Sequence, residues 1–145
     1  MSNLINSMKP GRICIVLAGR QAGKKCVIVN NLDKGTSKKK FPHALVAGVA
    51  KAPMKVTKKM GKKRIAKRCA VKPFVKNINY NHILPTRYTV SDFDLTALTS
   101  DAMKDEEARG TAKKEIKKAF ETQYMTGNKG AEKAPAAFFF KKLRF

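Results

Sequence analysis

Two stretches of this sequence carry residue types at spacings that could do chemistry. At residues 19–25, reading GRQAGKK, two glycines bracket a short basic segment and invite comparison with a phosphate-gripping loop. A nucleotide-hydrolysing P-loop needs four residues between its glycines, then Lys followed by Ser or Thr for magnesium. Here three residues separate Gly19 from Gly23, and Lys25 stands where the hydroxyl belongs, so nucleotide hydrolysis is set aside. What remains is a tight turn whose glycines supply positive φ angles, with Arg20, Lys24 and Lys25 displayed at or beside its tip.

The second stretch, residues 55–72, holds Lys55, Lys58, Lys59, Lys62, Lys63, Arg64, Lys67, Arg68 and Lys72 with no acid among them. A charge run is usually a solvated face, but bases without intervening acids would leave a strong repulsive field in water. Against a phosphate backbone each cation releases condensed counterions, and much of the binding free energy comes from that release. Lys38, Lys39 and Lys40 form a shorter run of the same kind. Residues 58–68 also suit a nuclear-import signal, a compatible role.

Catalytic equipment is missing from the same region. Asp33 is the sole acid in residues 1–91, and no carboxylate pair stands near a His, which leaves general acid–base chemistry without players. Cys14, Cys26 and Cys69 are odd in number and never spaced C-x-x-C, and His43 and His82 lie apart from them in sequence. They read as buried, reduced thiols rather than metal ligands. No metal, cofactor or small-molecule substrate is expected. Phe74, Tyr80, His82 and Tyr88 are interleaved with Lys76 and Arg87, a texture that suits stacking on unpaired RNA bases as well as packing in a core.

The elements that position these residues must be built from 145 residues, 43% of them apolar, which is enough for one compact domain with an appendage and too little for a two-domain enzyme. Lys and Arg number 32 against 10 Asp and Glu, a net charge of +22. Residues 1–91 hold 21 bases and one acid, while residues 92–145 hold 11 bases and nine acids, so the chain has a basic part and a nearly neutral one. So much like charge opposes folding unless a polyanion accompanies it. Nucleic acid fits better than a membrane, because the longest apolar run, residues 13–18, is far short of the roughly 20 residues that span a bilayer. Residues 1–10 carry one Lys and no sustained apolar stretch, and Ser2 occupies the place of a myristoylated glycine, so an intracellular location is expected.

Strands are predicted over residues 12–18 and 25–30, whose apolar runs are rich in β-branched residues, with the glycine turn between them. A third is predicted over residues 43–50, ended by Pro53, and a fourth over 71–79, where a period of two turns Val71 and Val75 inward and Lys72 and Lys76 outward. Phe74 shares the parity of those lysines, which weakens its claim to the core. Short strands this close together suggest a small β-barrel. Residues 101–124 read as helix, with acids early (Asp101, Asp105, Glu106, Glu107), Lys113, Lys114, Lys117 and Lys118 late, and an apolar stripe of Ile116, Phe120 and Tyr124. Gly127 is the expected C-cap, and Gly110 leaves room for two helices instead of one. Residues 138–145, FFFKKLRF, are too apolar to float in water and should dock.

At this point the motifs resemble a known family. Residues 8–29, MKPGRICIVLAGRQAGKKCVIV, are similar to a KOW motif. HALVAGV at 43–49, KMGKKRIAKR at 59–68, NYNHILPTRY at 79–88 and the terminal FFFKKLRF then resemble the eukaryotic large-subunit ribosomal protein family conventionally numbered twenty-seven. That resemblance implies an SH3-like, KOW-type β-barrel followed by a helical C-terminal extension, divided here as residues 1–95 and 96–145. It implies a structural role on large-subunit ribosomal RNA beside neighbouring ribosomal proteins, with no catalysis and no cofactor. The location implied is the cytoplasmic ribosome, with nuclear or nucleolar passage during assembly. RNA contacts are implied for Arg20, Lys24, Lys62, Lys63, Arg64, Lys67, Arg68 and Arg87, beside those that charge alone marks, Lys25, Lys38, Lys39, Lys40, Lys55, Lys58 and Lys59. The tail departs from the family pattern, having Phe138 where a Trp usually precedes a Phe pair. Two further readings are a KOW-bearing transcription or RNA-processing factor, which would need partner-binding domains, and a DNA-compacting architectural protein, which the charge alone permits.

Overall fold

In the computed structural model, residues 7–90, 98, 105–127 and 135–144 are described. Five strands follow one another along the chain: β1 (Arg12–Val16), β2 (Lys25–Leu32), β3 (His43–Lys51), β4 (Lys72–Asn79) and β5 (Ile83–Thr89). A short helix, α1 (Lys62–Cys69), interrupts the β3–β4 connection, and α2 (Glu106–Gly127) and α3 (Pro135–Phe140) follow the sheet. The strands are antiparallel in the order β4-β3-β2-β1-β5, so β1 to β4 form a meander and β5 returns to the free side of β1.

That order forces the sheet to curl. Edge strands of a flat five-stranded sheet stand about 19 Å apart, four spacings of about 4.8 Å. Yet β4 and β5 occupy opposite edges and are joined by one 3-10 turn, Tyr80–His82. From Asn79 to Ile83 a chain reaches at most about 14 Å even when extended, so the edges must approach at that end. Register shifts in β1, β2 and β3 supply the bends. The closed barrel expected from sequence is corrected to this curled but open sheet, because no ladder joins β4 to β5 among the described residues.

Both faces of the sheet are apolar. Cys14, Val16, Cys26, Ile28, Val46, Phe74, Ile78, Tyr80 and Ile83, drawn from all five strands with the adjoining 3-10 turn, pack together on one side. Ile13, Val27, Leu45, Ala47, Val49 and Val75 point to the other side, where Ala112, Ile116 and Phe120 of α2 and Phe139 and Phe140 of α3 cover them. Val71 and Val75 are buried and Lys72 and Lys76 exposed, as the period of two requires. Phe74 is nevertheless buried, because Gly48 on the paired strand leaves the room its ring fills.

The helix of the second half is single and unbroken at Gly110, and Gly127 is its last residue. Consequently Lys113 to Lys118 lie in mid-helix, beyond the last-turn reach of the dipole effect, while Glu106 and Glu107 do stand in the first turn. Its Ile116 and Phe120 are buried and Tyr124 packs edge-to-face on Phe140, 5.4 Å between centroids. Expectations for residues 1–6, for Asp101 at the predicted helix start, for Phe145 and for the 95/96 boundary lie outside the described residues. No described helix is long and apolar enough to cross a membrane.

Candidate nucleic-acid interface

The β1–β2 turn is built by its glycines. Gly19 and Gly23 adopt φ of 87° and 75°, values open to them because they lack a Cβ. Gly23 N–H donates to Val16 O at 2.7 Å, Ala22 N–H to Gly19 O at 3.0 Å and Lys24 N–H to Gln21 O at 3.1 Å, which closes the loop on itself. Arg20 is left exposed at the tip and Lys24 half-buried behind it.

Lys25 departs from expectation. Instead of standing beside the tip, it is 5% exposed, and its ammonium is held by the C-terminal tail. Nζ donates to Phe138 O at 2.6 Å and to Lys141 O at 2.5 Å and lies 3.9 Å from the centre of the Phe138 ring. The reason is parity: Lys25 shares a face with Val27, and that face is the one covered by α2 and α3. The cation therefore satisfies carbonyls left open at the end of α3, and it leaves the candidate RNA set. Burial, then repulsion from Lys141, lowers its pKa from 10.5 to about 8. Tyr88 stacks on the same Phe138 ring, 4.4 Å between centroids, so this tyrosine packs within the protein.

The segment from Lys55 to Lys72 forms an extended approach, α1 and the entry to β4. Within α1, Lys62, Lys63, Arg64 and Lys67 are exposed and no residue is buried. An isolated helix this short is marginal in water, since about 12–15 residues are needed. It holds through Lys67 and Arg68 in its last turn, Ile65 N–H donating to Gly61 O at 3.1 Å, and Met54 N–H donating to Arg68 O at 2.8 Å. That last bond folds the excursion back so that Lys55 adjoins the C-terminal end of α1. Arg68 is half-buried, and its Nε has no acceptor among the described residues. Lys55, Lys58 and Lys59 are exposed ahead of the helix.

In the β2–β3 connection, Lys38 and Lys40 are exposed and Lys39 is half-buried in an antiparallel bridge with Thr36. Arg87 is exposed on the edge strand β5, its guanidinium donating to Tyr88 Oη at 3.2 Å. Asp33, the one acid of the basic half, accepts from the Tyr80 hydroxyl and neutralises none of these cations. No candidate cation is paired with a carboxylate among the described residues; the ion pair seen there joins Lys117 to Glu121 within α2 at 3.9 Å. The structure also gathers cations that sequence reasoning did not place together. Lys24, Lys51, Lys141 and Lys142 line one cleft of about 580 Å³ between the turn, the end of β3 and the tail. The sequence signal for it was the Lys141-Lys142 pair after a docking Phe run, but only the docked tail shows where that pair lands.

Residues 13–145 match the Ribosomal L27e protein family. The chain belongs to that family. As an L27e protein it is a structural ribosomal protein of the large subunit, part of a ribonucleoprotein that serves translation. The L27e match runs through the strands, α1 and the tail alike, so the cationic surface and the Phe138 latch both lie inside the matched span. Among the described residues of this L27e chain no group of three or more His, Cys, Asp or Glu is placed to hold a metal. His43 is a core histidine, its Nδ1–H donating to Phe41 O at 2.8 Å. Burial raises the thiol pKa of Cys14 to about 12 and that of Cys26 further still.

Proposed function

We propose that this L27e chain binds folded ribosomal RNA during assembly of the large subunit and stays bound through translation. Arg20 and Lys24 of the turn, Lys38 to Lys40, the exposed bases from Lys55 to Arg68, and Arg87 serve as its phosphate contacts. Residues 1–95 supply the RNA-facing part, which keeps an SH3-like character in its short antiparallel strands and glycine turn, and residues 96–145 form the extension that braces it. The supporting observation is that these cations stand exposed or half-exposed on a framework packed on both faces, with no described acid neutralising them. A rigid framework lowers the entropy lost when each contact forms. Arginine forks can bridge two phosphate oxygens while lysines act as mobile point charges, so Arg20, Arg64, Arg68 and Arg87 are the geometrically demanding contacts. The role needs no catalysis. Neighbouring ribosomal proteins are the second class of partner, and cytoplasmic function follows nuclear or nucleolar passage. Ultraviolet cross-linking of purified large subunits, with the RNA-linked peptides mapped by mass spectrometry, tests this reading. Adducts should fall in residues 20–24, 38–40, 55–68 and 87; adducts confined to other segments would refute the assignment.

A further inference from the structure

A cleft of about 620 Å³ opens at the free edge of β4, lined by Arg20, Gln21, Phe74, Val75, Lys76 and Lys113. Its cations come from three separate elements: the β1–β2 turn, strand β4 and helix α2. No carboxylate lines it. The Lys76 ammonium reaches toward the turn and lies 3.9 Å from where a Gly19 side chain would begin. Lys113 is brought there because Ala112 and Ile116, its neighbours on α2, are buried against the sheet face that holds Val75, and α2 is in contact with β4.

We propose that this cleft seats the phosphodiester backbone of an RNA strand, with Lys113 and Lys76 completing a site begun by Arg20. The idea rests on the RNA-binding reading above and extends it to α2, a helix whose near-neutral half of the chain gave no reason to expect RNA contact. Three converging cations without an acid make an electrostatic trap whose natural occupant carries closely spaced negative charges. The volume falls within the roughly 300–1,000 Å³ of sites that enclose a small organic ligand, so a nucleotide unit fits. Gln21 offers an uncharged donor beside them, and Arg20 can grip two phosphate oxygens at once. An RNA strand suits the position better than an acidic protein segment, because the cleft adjoins a basic half that holds one acid in 91 residues.

The test uses the full chain and a labelled 16-nucleotide oligouridylate, with affinity measured across a salt series. Lys76→Gln and Lys113→Gln should each make the slope of log K against log salt shallower by about 0.7, the counterion release of one single-strand phosphate. Lys114→Gln, an equal charge loss at the next residue of the same helix, which does not line the cleft, is the control and should change the slope by clearly less than either. Matched thermal melting of the variants confirms that the fold is retained. Wild-type binding with Lys113→Gln indistinguishable from Lys114→Gln would overturn this site while leaving the broader RNA reading intact. Absence of oligouridylate binding by the unaltered chain would overturn both. Lys113-dependent capture of an oligoglutamate peptide, with RNA binding unaffected by Lys113→Gln, would assign the cleft to an acidic protein and overturn the RNA site.

Discussion

Replacing Lys25 by Met keeps a long flexible chain on the covered face of β2 but removes the ammonium that holds Phe138 O and Lys141 O. Each lost partner strands an acceptor, at about 1–3 kcal/mol when it stays dry. Lys141 is exposed, so its carbonyl regains water on a small movement and the lower end applies there. Removing the ammonium also relieves its own desolvation, the largest cause of its lowered pKa. A net loosening of the tail by about 2 kcal/mol follows, which is roughly a 30-fold shift in the docking equilibrium. Hydrogen exchange reads it directly: amides of residues 138–141 should lose about 30-fold protection, while those of β2 and β3 keep theirs. The pH dependence carries a definite sign. The folded-state pKa of about 8 lies below the ordinary 10.5, so between those values the unfolded chain holds a proton that the folded chain has released. Stability contributed by this group therefore rises with pH through that window, and the neutral amine still has two N–H groups for the two carbonyls. The Tm advantage of the natural chain over Lys25→Met should grow between pH 8 and 10. Undiminished tail protection, or an advantage that shrinks over that range, would refute the latch and return Lys25 to the RNA-facing set.

Other outcomes follow from the same geometry. Gly48→Ala would place a Cβ 2.5 Å from Phe74 Cζ and 2.6 Å from the Lys25 carbonyl. Overpacking of this kind costs about 1–3 kcal/mol, measurable by chemical denaturation, and Phe74→Leu in the same chain should recover part of it. Joint replacement of Arg64 and Arg68 by Ala should lower incorporation into large subunits several-fold while circular dichroism stays unchanged; normal incorporation counts against their role. Alkylation with iodoacetamide at pH 8 should label Cys69, which is half-buried, well before Cys14 and Cys26, whose thiols are buried with raised pKa values. Mass spectrometry of the labelled peptides decides it.

Four strands and the glycine turn were legible in the sequence because β-branched runs and paired glycines are local signals. The predicted strand at residues 12–18 ends at Val16, and that at 25–30 extends to Leu32. Strand β5 was missed because Pro85 sits inside it, a residue tolerated only where the missing N–H faces no partner, as on this sheet edge. Helix α1 was masked by charge: KKRIAKRC contains good helix formers, yet its density of lysines reads first as a solvated run. Phe74 packs in the core, one of the two roles its texture allowed, and Lys25 was placed by its position beside the turn tip, which says nothing of the tail that buries it. Alternation assigns a face but not its cover: Lys72 and Lys76 on Phe74's face are exposed, while Phe74 fills the room left at Gly48. The candidate cations other than Lys25 were legible as charges without acids, but their grouping into clefts depends on where the tail and α2 dock, which no local pattern encodes.

The central claim is that this L27e chain is an integral, RNA-held component of the large subunit. The most direct test follows the tagged chain across a sucrose gradient of cell lysate before and after a high-salt wash. Co-sedimentation with large subunits and polysomes that survives the wash is the predicted result, since loosely held basic proteins lose affinity steeply with salt. A tagged chain that stays at the top of the gradient, or leaves the subunit in salt, would contradict it.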